Sequence, residues 1–239
     1  MPDHDAIYRA DAERYDRLVA REDWRRNLPP AMIDIRPATD LDIVELGAGT
    51  GRLTRLLAPR ARRLVAFDAS AAMLEVARER LAADGTIDRV SLQVADHRAA
   101  EVPPGSADLV VSGWSIAYDV CRPGFEPARL AFLLARWNNM LRPDGTILVI
   151  ETLGTGAEMP TPPPRLVPYY TALESAGFES SSIRTDYRFA SLAEAESLVR
   201  FFFGDALADR VAAGRLTILP ECTGLWWRHG RREDSPTAT

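Results

Sequence analysis

Lysine is absent from this sequence of 239 residues, in which all 29 basic residues are arginine. Enzymes that form a Schiff base with a carbonyl substrate or hold pyridoxal phosphate need a lysine amine, and so does a P-loop nucleotide site. The absence therefore excludes these three classes of enzyme. The use of arginine in place of every lysine also suggests a GC-rich bacterial genome.

Cysteine, long apolar runs and positive net charge are scarce as well. The two cysteines, Cys121 and Cys222, lie far apart and lack the spacing of a metal site, which favours a reducing compartment. No apolar run approaches the roughly 20 residues of a membrane span, and the N-terminal segment is too polar for a signal peptide. The net charge of −5 argues against nucleic acid as a partner. We therefore expect a cytoplasmic protein without a membrane or nucleic-acid partner.

Short apolar segments alternate with segments of helical periodicity as far as residue 152. The apolar segments cover residues 41–47, 63–68, 90–96, 107–113 and 146–152. They are almost continuously apolar, which is typical of strands buried on both faces of a parallel sheet. Apolar residues recur at helical spacing between them, notably over 126–141, before a predicted turn at 142–145. The alternation predicts an α/β fold with a doubly wound sheet and helices on both faces.

The pattern changes after residue 152. Proline-rich residues 160–168 predict a loop, followed by a helix at 169–176 and a strand at 181–189. A capping box with Ser191 and Glu194 opens a further helical segment, which runs to about residue 213, and a last strand is expected within 216–227.

These segments are interpreted as one domain over residues 1–229. Residues 1–36 are predicted to form an N-terminal helical cap, 41–153 a cofactor-binding core and 154–229 a substrate-side portion with the rest of the sheet. Residues 230–239 are predicted to be a flexible tail.

The sequence ELGAGTG at 45–51 follows a buried strand directly and opens a helix. Its glycines let the backbone turn tightly and let a ligand approach where a side chain would collide. Asp68 ends the next strand, roughly 20 residues after Gly49, where a carboxylate can accept hydrogen bonds from a ribose diol. A dinucleotide fingerprint would place Gly or Ala at position 52, which is Arg52. The loop therefore favours a nucleoside ligand other than NAD.

With these motifs in place, residues 41–153 resemble the class I S-adenosylmethionine-dependent methyltransferases. Further segments match motifs of that family in the same order: AFDAS (66–70), VADH (94–97), VSGW (111–114) and LRPDGTILVIE (141–151). YDRL (15–18) resembles the helix that closes over the cofactor. The resemblance implies a Rossmann-like sheet of seven strands in the order 3-2-1-4-5-7-6 with strand seven antiparallel. It also implies S-adenosylmethionine as the cofactor and S-adenosylhomocysteine as its product.

The resemblance assigns the glycines to the methionine end of the cofactor, Asp68 to the ribose, and Met73 and Asp96 to the adenine. The complete set of cofactor-binding residues that it implies is Tyr15, Glu45, Gly47, Ala48, Gly49, Thr50, Gly51, Asp68, Ala69, Met73, Ala95, Asp96, His97, Ser112 and Gly113.

Three residues are candidate catalytic bases, because an oxygen acceptor must lose a proton during methylation. They are His97, Glu151 and Asp186. His97 fits better as an adenine-side or loop histidine without a catalytic part, and Glu151 fits equally well as a helix-cap partner or a solvated loop acid.

Five aromatic residues are candidates for substrate binding, although each also fits a place in the core. They are Trp114, Tyr118, Tyr169, Tyr170 and Tyr187. Trp114 and Tyr118 directly follow the fourth strand, where the methyl group would be delivered. The run of three phenylalanines at 201–203 is interpreted as core packing.

These patterns predict metal-independent SN2 methyl transfer to an oxygen or nitrogen of a small-molecule acceptor. A nucleic-acid methyltransferase would carry an NPPY-type tetrad after the fourth strand, where this chain reads SGWS. An RNA or protein methyltransferase, or a non-catalytic S-adenosylmethionine-binding protein, stays open as an alternative. Segments 160–168 and 191–213 fit either a lid over the substrate or a contact in a homodimer.

Overall fold

The first five strands form the parallel part of a seven-stranded sheet. In the computed structural model, which describes residues 2–230, they are β1 (Asp42–Leu46), β2 (Arg63–Asp68), β3 (Val90–Val94), β4 (Ala107–Gly113) and β5 (Leu141–Thr155). They pair in the order β3-β2-β1-β4-β5. Val44 and Ile43 are both buried but face opposite layers, which explains the nearly continuous apolar runs of the sequence.

Four further strands follow: β6 (Glu179–Arg184), β7 (Tyr187–Arg188), β8 (Ile218–Leu219) and β9 (Glu221–His229). Strand β9 lies antiparallel between β5 and β6, so the sheet order is β3-β2-β1-β4-β5-β9-β6. Because β9 is the seventh strand of this sheet in chain order, the predicted topology is confirmed. Strands β7 and β8 form a separate two-stranded sheet.

Helices cover both faces of the sheet. They are α1 (His4–Ala10), α2 (Ala12–Val19), α3 (Leu28–Ile35), α4 (Arg52–Leu57), α5 (Ala71–Ala83), α6 (Ile116–Val120), α7 (Pro127–Met140), α8 (Val167–Ser175), α9 (Leu192–Phe203) and α10 (Asp205–Gly214). Short 3-10 turns lie at Ile87–Arg89 and Pro164–Leu166. Helices α3, α4 and α5 pack on one face, and α6, α7 and α8 on the other. None of the described helices is long and apolar enough to cross a membrane.

The N-terminal helices and the C-terminal helices pack together at the edge of the domain. Leu18 of α2 is buried with Leu198 and Val199 of α9 and with Val211 of α10. Helix α9 begins as predicted: Ser191 Oγ accepts a hydrogen bond from the Glu194 N–H at 3.1 Å. The packing brings residues from both ends of the chain to the carboxyl edge of the parallel strands.

Three local predictions need correction. The predicted turn at 142–145 lies inside β5, where the pairing with β4 shifts register after Ala107 and leaves the extra residues bulged. The predicted strand 181–189 is interrupted after Arg184 and resumes in the other sheet. Helix α8 begins at Val167, inside the predicted loop, because Pro168 fits the first turn of a helix. Residues 231–239 of the predicted tail lie outside the described residues.

Candidate functional site

The glycine loop connects β1 to α4 in a conformation that needs glycine. Gly47, Gly49 and Gly51 have φ angles of 79°, 56° and 86°, in the left-handed region. The Gly49 N–H donates to Asp68 Oδ2 at 2.8 Å, and the Ser70 N–H donates to Asp68 Oδ1 at 2.8 Å. The Asp68 carboxylate therefore fixes the loop to the carboxyl end of the neighbouring strand.

A cavity of about 530 Å³ lies at this edge of the sheet, beside the loop. We call it the donor cavity. The predicted cofactor residues that line it are Tyr15, Glu45, Gly47, Ala48, Gly49, Thr50, Asp68, Ala69, Met73, Ala95, Asp96, His97 and Gly113. Gly51 instead faces Ala77 of α5, which a Cβ added at Gly51 would approach to 3.2 Å. Ser112 is buried, and its hydroxyl lies 2.9 Å from the Ser115 hydroxyl.

Two of the predicted acids in the donor cavity also have local structural roles. Asp96 Oδ1 accepts hydrogen bonds from the Arg98 and Ala99 N–H groups, both at 2.8 Å, and so closes the turn after β3. Glu45 Oε2 accepts one from Thr54 Oγ1 at 2.7 Å, and burial raises the pKa of Glu45 to about 8.

A second cavity of about 350 Å³ adjoins the donor cavity, and we call it the acceptor cavity. The two cavities share lining residues from α1, α2, α4 and the segment after β4, namely Tyr8, Tyr15, Arg52, Trp114 and Tyr118. The acceptor cavity continues between β5, β9 and α9. Its further aromatic lining residues are Tyr187, Phe202 and Phe203, and its acidic ones are Glu22, Glu151 and Glu221.

Trp114 lies at the junction of the two cavities in a left-handed conformation, with φ of 51°. This conformation is unfavourable for a bulky residue and is held by surrounding contacts. The backbone N–H of Trp114 donates a hydrogen bond to the Ile150 carbonyl at 2.7 Å. The Arg52 guanidinium lies 3.9 Å from the centre of the indole and pairs with Glu22 at 2.7 Å. This cluster forms a rigid part of the wall between the cavities.

A chain of hydrogen bonds holds α1 over both cavities. Tyr8 Oη donates to Tyr118 Oη at 2.8 Å, and Tyr118 Oη lies 2.9 Å from His4 Nδ1. His4 Nε2 in turn lies 2.9 Å from the Phe202 carbonyl, and the two rings stack. The N-terminal helix is thereby tied to α9 at the far side of the acceptor cavity.

The predicted bases occupy different places. His97 lines only the donor cavity, where its Nε2 lies 3.2 Å from Ser115 Oγ, and burial lowers its pKa. Glu151 lines only the acceptor cavity, and burial raises its pKa to about 8. Asp186 lines neither of them, contrary to the prediction. Its carboxylate pairs with Arg184 at 2.8 Å and accepts a hydrogen bond from the backbone N–H of Glu221 at 3.0 Å. These two contacts hold the Asp186 side chain within the loop that follows β6.

Tyr169 and Tyr170 also lie away from both cavities, contrary to the prediction. Tyr169 is completely buried in the core beneath α8. Tyr170 stacks on Trp226 with ring centres 4.5 Å apart and donates from Oη to the Thr152 carbonyl at 2.7 Å. The aromatic face of α8 packs on the sheet and not on the site. Of the predicted substrate residues, Trp114, Tyr118 and Tyr187 line the acceptor cavity.

Sequence reasoning missed several lining residues of the acceptor cavity. Phe202 and Phe203, interpreted as core, form part of its wall, and Glu22 and Glu221 supply two of its acids. Glu221 stands at the start of β9, and only the pairing of β9 with β5 brings it to the site. No local sequence signal reveals such a residue. Within residues 2–230, no three His, Cys, Asp or Glu side chains are grouped as a metal site requires.

Comparison with known proteins gives one family match and one curated relative. Residues 43–145 match the family model described as a methyltransferase domain. The demethylmenaquinone methyltransferase of Symbiobacterium thermophilum is 29% identical over 133 residues, which are 54% of this chain and 49% of that protein. The chain thus matches about half the length of this curated relative.

Solved structures share the fold over most of the chain. The YcgJ protein from Bacillus subtilis has a TM-score of 0.56 at 13% identity, covering 85% of this chain and 98% of its own. Phosphoethanolamine N-methyltransferase 2 of Haemonchus contortus, in complex with S-adenosyl-L-methionine, has a TM-score of 0.54 at 19% identity, covering 87% and 53%. At these identities the likeness concerns the fold.

Proposed function

Because residues 43–145 match a methyltransferase domain and the sheet has the expected strand order, we propose that the chain is a class I S-adenosylmethionine-dependent methyltransferase. We propose further that it methylates an oxygen or nitrogen atom of a small-molecule acceptor. The observation that carries this proposal is the pair of adjoining cavities. The donor cavity contains the glycine loop and Asp68, and the acceptor cavity meets it at Trp114 and Tyr118. A methyl group leaving the first cavity would therefore be delivered directly into the second.

The residues of the donor cavity fit S-adenosylmethionine. A Cβ on Gly47 would collide with the Ser115 hydroxyl, and one on Gly49 would point into the cavity with only Tyr15 nearby, at 3.9 Å. The loop thus leaves its backbone open to close approach by the methionine end. The Asp68 carboxylate, at the end of β2, has lone pairs left to accept the ribose hydroxyls.

The chain's own contribution to the reaction is positioning. S-adenosylmethionine supplies a methyl group that is already activated on a sulfonium centre. The wall formed by Trp114, Arg52 and Glu22 then holds the acceptor atom in line and limits access of water, which is the main catalytic contribution available here. An acceptor that must lose a proton has Glu151 within its own cavity. A carboxyl group with a pKa near the working pH is suited to accept that proton.

The shape of the acceptor cavity supports a small acceptor over RNA or protein. Helices α1, α2 and α9 contribute its lining through Tyr8, Leu18 and Phe202, so the cavity lies beneath them and not on an open surface. Its volume of about 350 Å³ falls in the range of small-molecule sites. The net charge of −5 also disfavours a polyanionic substrate.

Isothermal titration with S-adenosylmethionine, S-adenosylhomocysteine and NAD tests the donor cavity. We expect micromolar binding of both adenosyl ligands and none of NAD. Binding of NAD alone would refute the proposal. Turnover is then measured with small phenols, acids and amines, followed by mass spectrometry for a gain of one methyl group. Methylation of RNA or protein instead would refute the choice of acceptor.

A further inference from the structure

We propose that the acceptor is an organic amine that enters the acceptor cavity as its ammonium ion and is held there by Glu151, Glu221 and the surrounding aromatic rings. This inference rests on the proposed function and specifies its substrate class. Four observations support it: incompletely bonded carboxylates, an acidic balance compensated only in part, aromatic walls, and a place for the proton that methylation of an amine requires.

Both carboxylates are buried and accept few hydrogen bonds. Thr152 Oγ1 donates to Glu221 Oε1 at 2.6 Å, but Glu221 Oε2 has no partner among residues 2–230. Glu151 Oε1 accepts only a long bond of 3.3 Å from the Ala117 N–H. Glu221 and Glu151 are 2% and 3% exposed, and both face the acceptor cavity. Buried acceptors of this kind are costly unless a ligand supplies the missing donors.

In the described part of the chain, three glutamates but only two arginines line the acceptor cavity, so the acids are compensated only in part. Glu221 faces Glu22 and Arg52, but those two are paired with each other at 2.7 Å. Glu151 faces Arg165, which lines the same cavity and is exposed to solvent. Burial consequently raises the pKa of both Glu151 and Glu221 to about 8. A cationic ligand would stabilise both as carboxylates, whereas an anionic acceptor would favour their protonated forms.

The walls of the cavity are suited to a cation. Seven aromatic residues line the acceptor cavity: Tyr8, Tyr15, Trp114, Tyr118, Tyr187, Phe202 and Phe203. Aromatic faces attract ammonium groups, and the attraction is strongest where water is excluded. Arg52 already uses one such face, that of Trp114. An alcohol offers a single O–H donor, whereas an ammonium ion offers three N–H donors and a charge.

The two carboxylates can also accept the proton that the ammonium ion must lose before methylation. A nitrogen attacks only as its neutral form, so the bound R–NH3⁺ first transfers one proton to a carboxylate of Glu151 or Glu221. The nitrogen lone pair then forms the C–N bond, and the C–S bond breaks with its electron pair going to sulfur. The products are R–NH2CH3⁺, S-adenosylhomocysteine and a protonated carboxyl group, which releases its proton to solvent. Atoms and charge balance without a further reactant.

Binding of matched probes tests the inference. Tryptamine, tryptophol and indole-3-acetate have similar size and differ in the group they present: an ammonium, a hydroxyl or a carboxylate. Each is titrated calorimetrically into the wild-type protein saturated with S-adenosylhomocysteine. We expect tryptamine to bind at least tenfold more tightly than tryptophol, and indole-3-acetate to bind most weakly. Equal or tighter binding of the alcohol or the acid overturns the inference.

Two isosteric variants assign the effect to the carboxylates. Glu151→Gln and Glu221→Gln should each weaken tryptamine binding at least tenfold, while S-adenosylhomocysteine binding stays within twofold of wild type. Glu79→Gln, an exposed residue of α5, is the matched control and should change neither affinity. Unchanged tryptamine affinity in both cavity variants overturns the inference.

Proton release gives a second readout on the wild-type protein, independent of whether a variant folds. An ammonium ion that ionises a buried carboxyl group at pH 7 releases a proton, so the binding enthalpy should differ between phosphate and Tris buffers. No buffer dependence overturns the inference. Failure of the proposed function is distinguishable: in that case either S-adenosylhomocysteine does not bind or none of the three small probes binds. Here S-adenosylhomocysteine and the probes bind, and only the preference for the amine is lost.

Discussion

The backbone N–H of Gly49 donates a hydrogen bond of 2.8 Å to the carboxylate of Asp68. This contact joins the glycine loop to the end of the neighbouring strand. The same carboxylate is the proposed acceptor for the ribose hydroxyls. The Asp68 carboxylate is partly buried, and burial raises its pKa. Substitutions at the two residues should therefore separate loop geometry from ligand affinity.

Replacement of Asp68 by Ala should weaken S-adenosylmethionine binding at least tenfold. The variant loses the acceptor for the ribose hydroxyls and also the bonds to Gly49 and Ser70. Isothermal titration measures the effect, and Asp88→Ala, at an exposed position, is the control. Wild-type affinity in Asp68→Ala would exclude the ribose role.

Gly49→Ala and Gly85→Ala form a matched pair. Their φ angles are 56° and 67°, so an added Cβ imposes a similar strain of about 1–2 kcal/mol at each. At Gly49 the new Cβ enters the donor cavity, whereas at Gly85 no atom lies within 4 Å. Both variants should lose similar stability in urea unfolding, but only Gly49→Ala should lose affinity for S-adenosylmethionine. An equal loss of affinity in both would show that strain alone is responsible.

The family, the sheet order and the donor cavity could be predicted because their signals are local. A buried strand, a glycine loop and an acid at the end of the next strand lie within about 25 residues, from Asp42 to Asp68. Parallel strands then carry their carboxyl ends to one edge, where ligands of such sheets bind. The five motifs consequently led to a methyltransferase assignment, in agreement with the methyltransferase domain model that matches residues 43–145.

The acceptor cavity could not be predicted in the same way, because helix orientation and strand pairing determine it. Tyr169 and Tyr170 are aromatic residues on a short helix, and nothing in their spacing tells which side of α8 faces the sheet. Glu221 reaches Thr152 only because β9 inserts between β5 and β6. Asp186 does have a local signal, because Arg184, two residues earlier, is its ion-pair partner.

Loss of Arg52 should destabilise the protein through Glu22. The two side chains are 18% and 3% exposed, and Arg52→Met would leave Glu22 as a buried acid without its cationic partner. Such a loss costs about 3–5 kcal/mol. Tyr187 Oη and Thr185 Oγ1 still donate to Glu22 at 2.8 and 3.1 Å, which favours the lower end of that range. Urea unfolding measures the change.

Arg55→Met, on the same helix, is the control for Arg52→Met. Its partner Asp84 is 36% exposed, so the pair contributes about 1 kcal/mol or less. The double variant Arg52→Met/Glu22→Gln should recover part of the lost stability, since it removes the unpaired charge. If Arg55→Met is as damaging as Arg52→Met, burial of the Glu22 pair is not what stabilises this region.

Three buried acids should make the free protein less stable as pH rises. Burial raises the pKa of Glu45, Glu151 and Glu221 to about 8, against about 4.3 in an unfolded chain. Between these values the folded state retains protons that the unfolded state has released. The unfolding free energy should therefore fall from about pH 5 to pH 8, with a slope of up to about 1.4 kcal/mol per pH unit for each group. Urea unfolding at intervals of half a pH unit measures this slope.

The double variant Glu151→Gln/Glu221→Gln identifies the groups responsible. Its amides do not titrate, so the decline in stability over this pH range should be shallower than in wild type, with Glu45 supplying what is left of it. Saturating tryptamine should also flatten the wild-type profile, because an ammonium ion beside the two acids lowers their pKa toward the unfolded value. A wild-type stability that rises between pH 5 and 8 would mean that these carboxyl groups are ionised in the folded protein, with cations that compensate them.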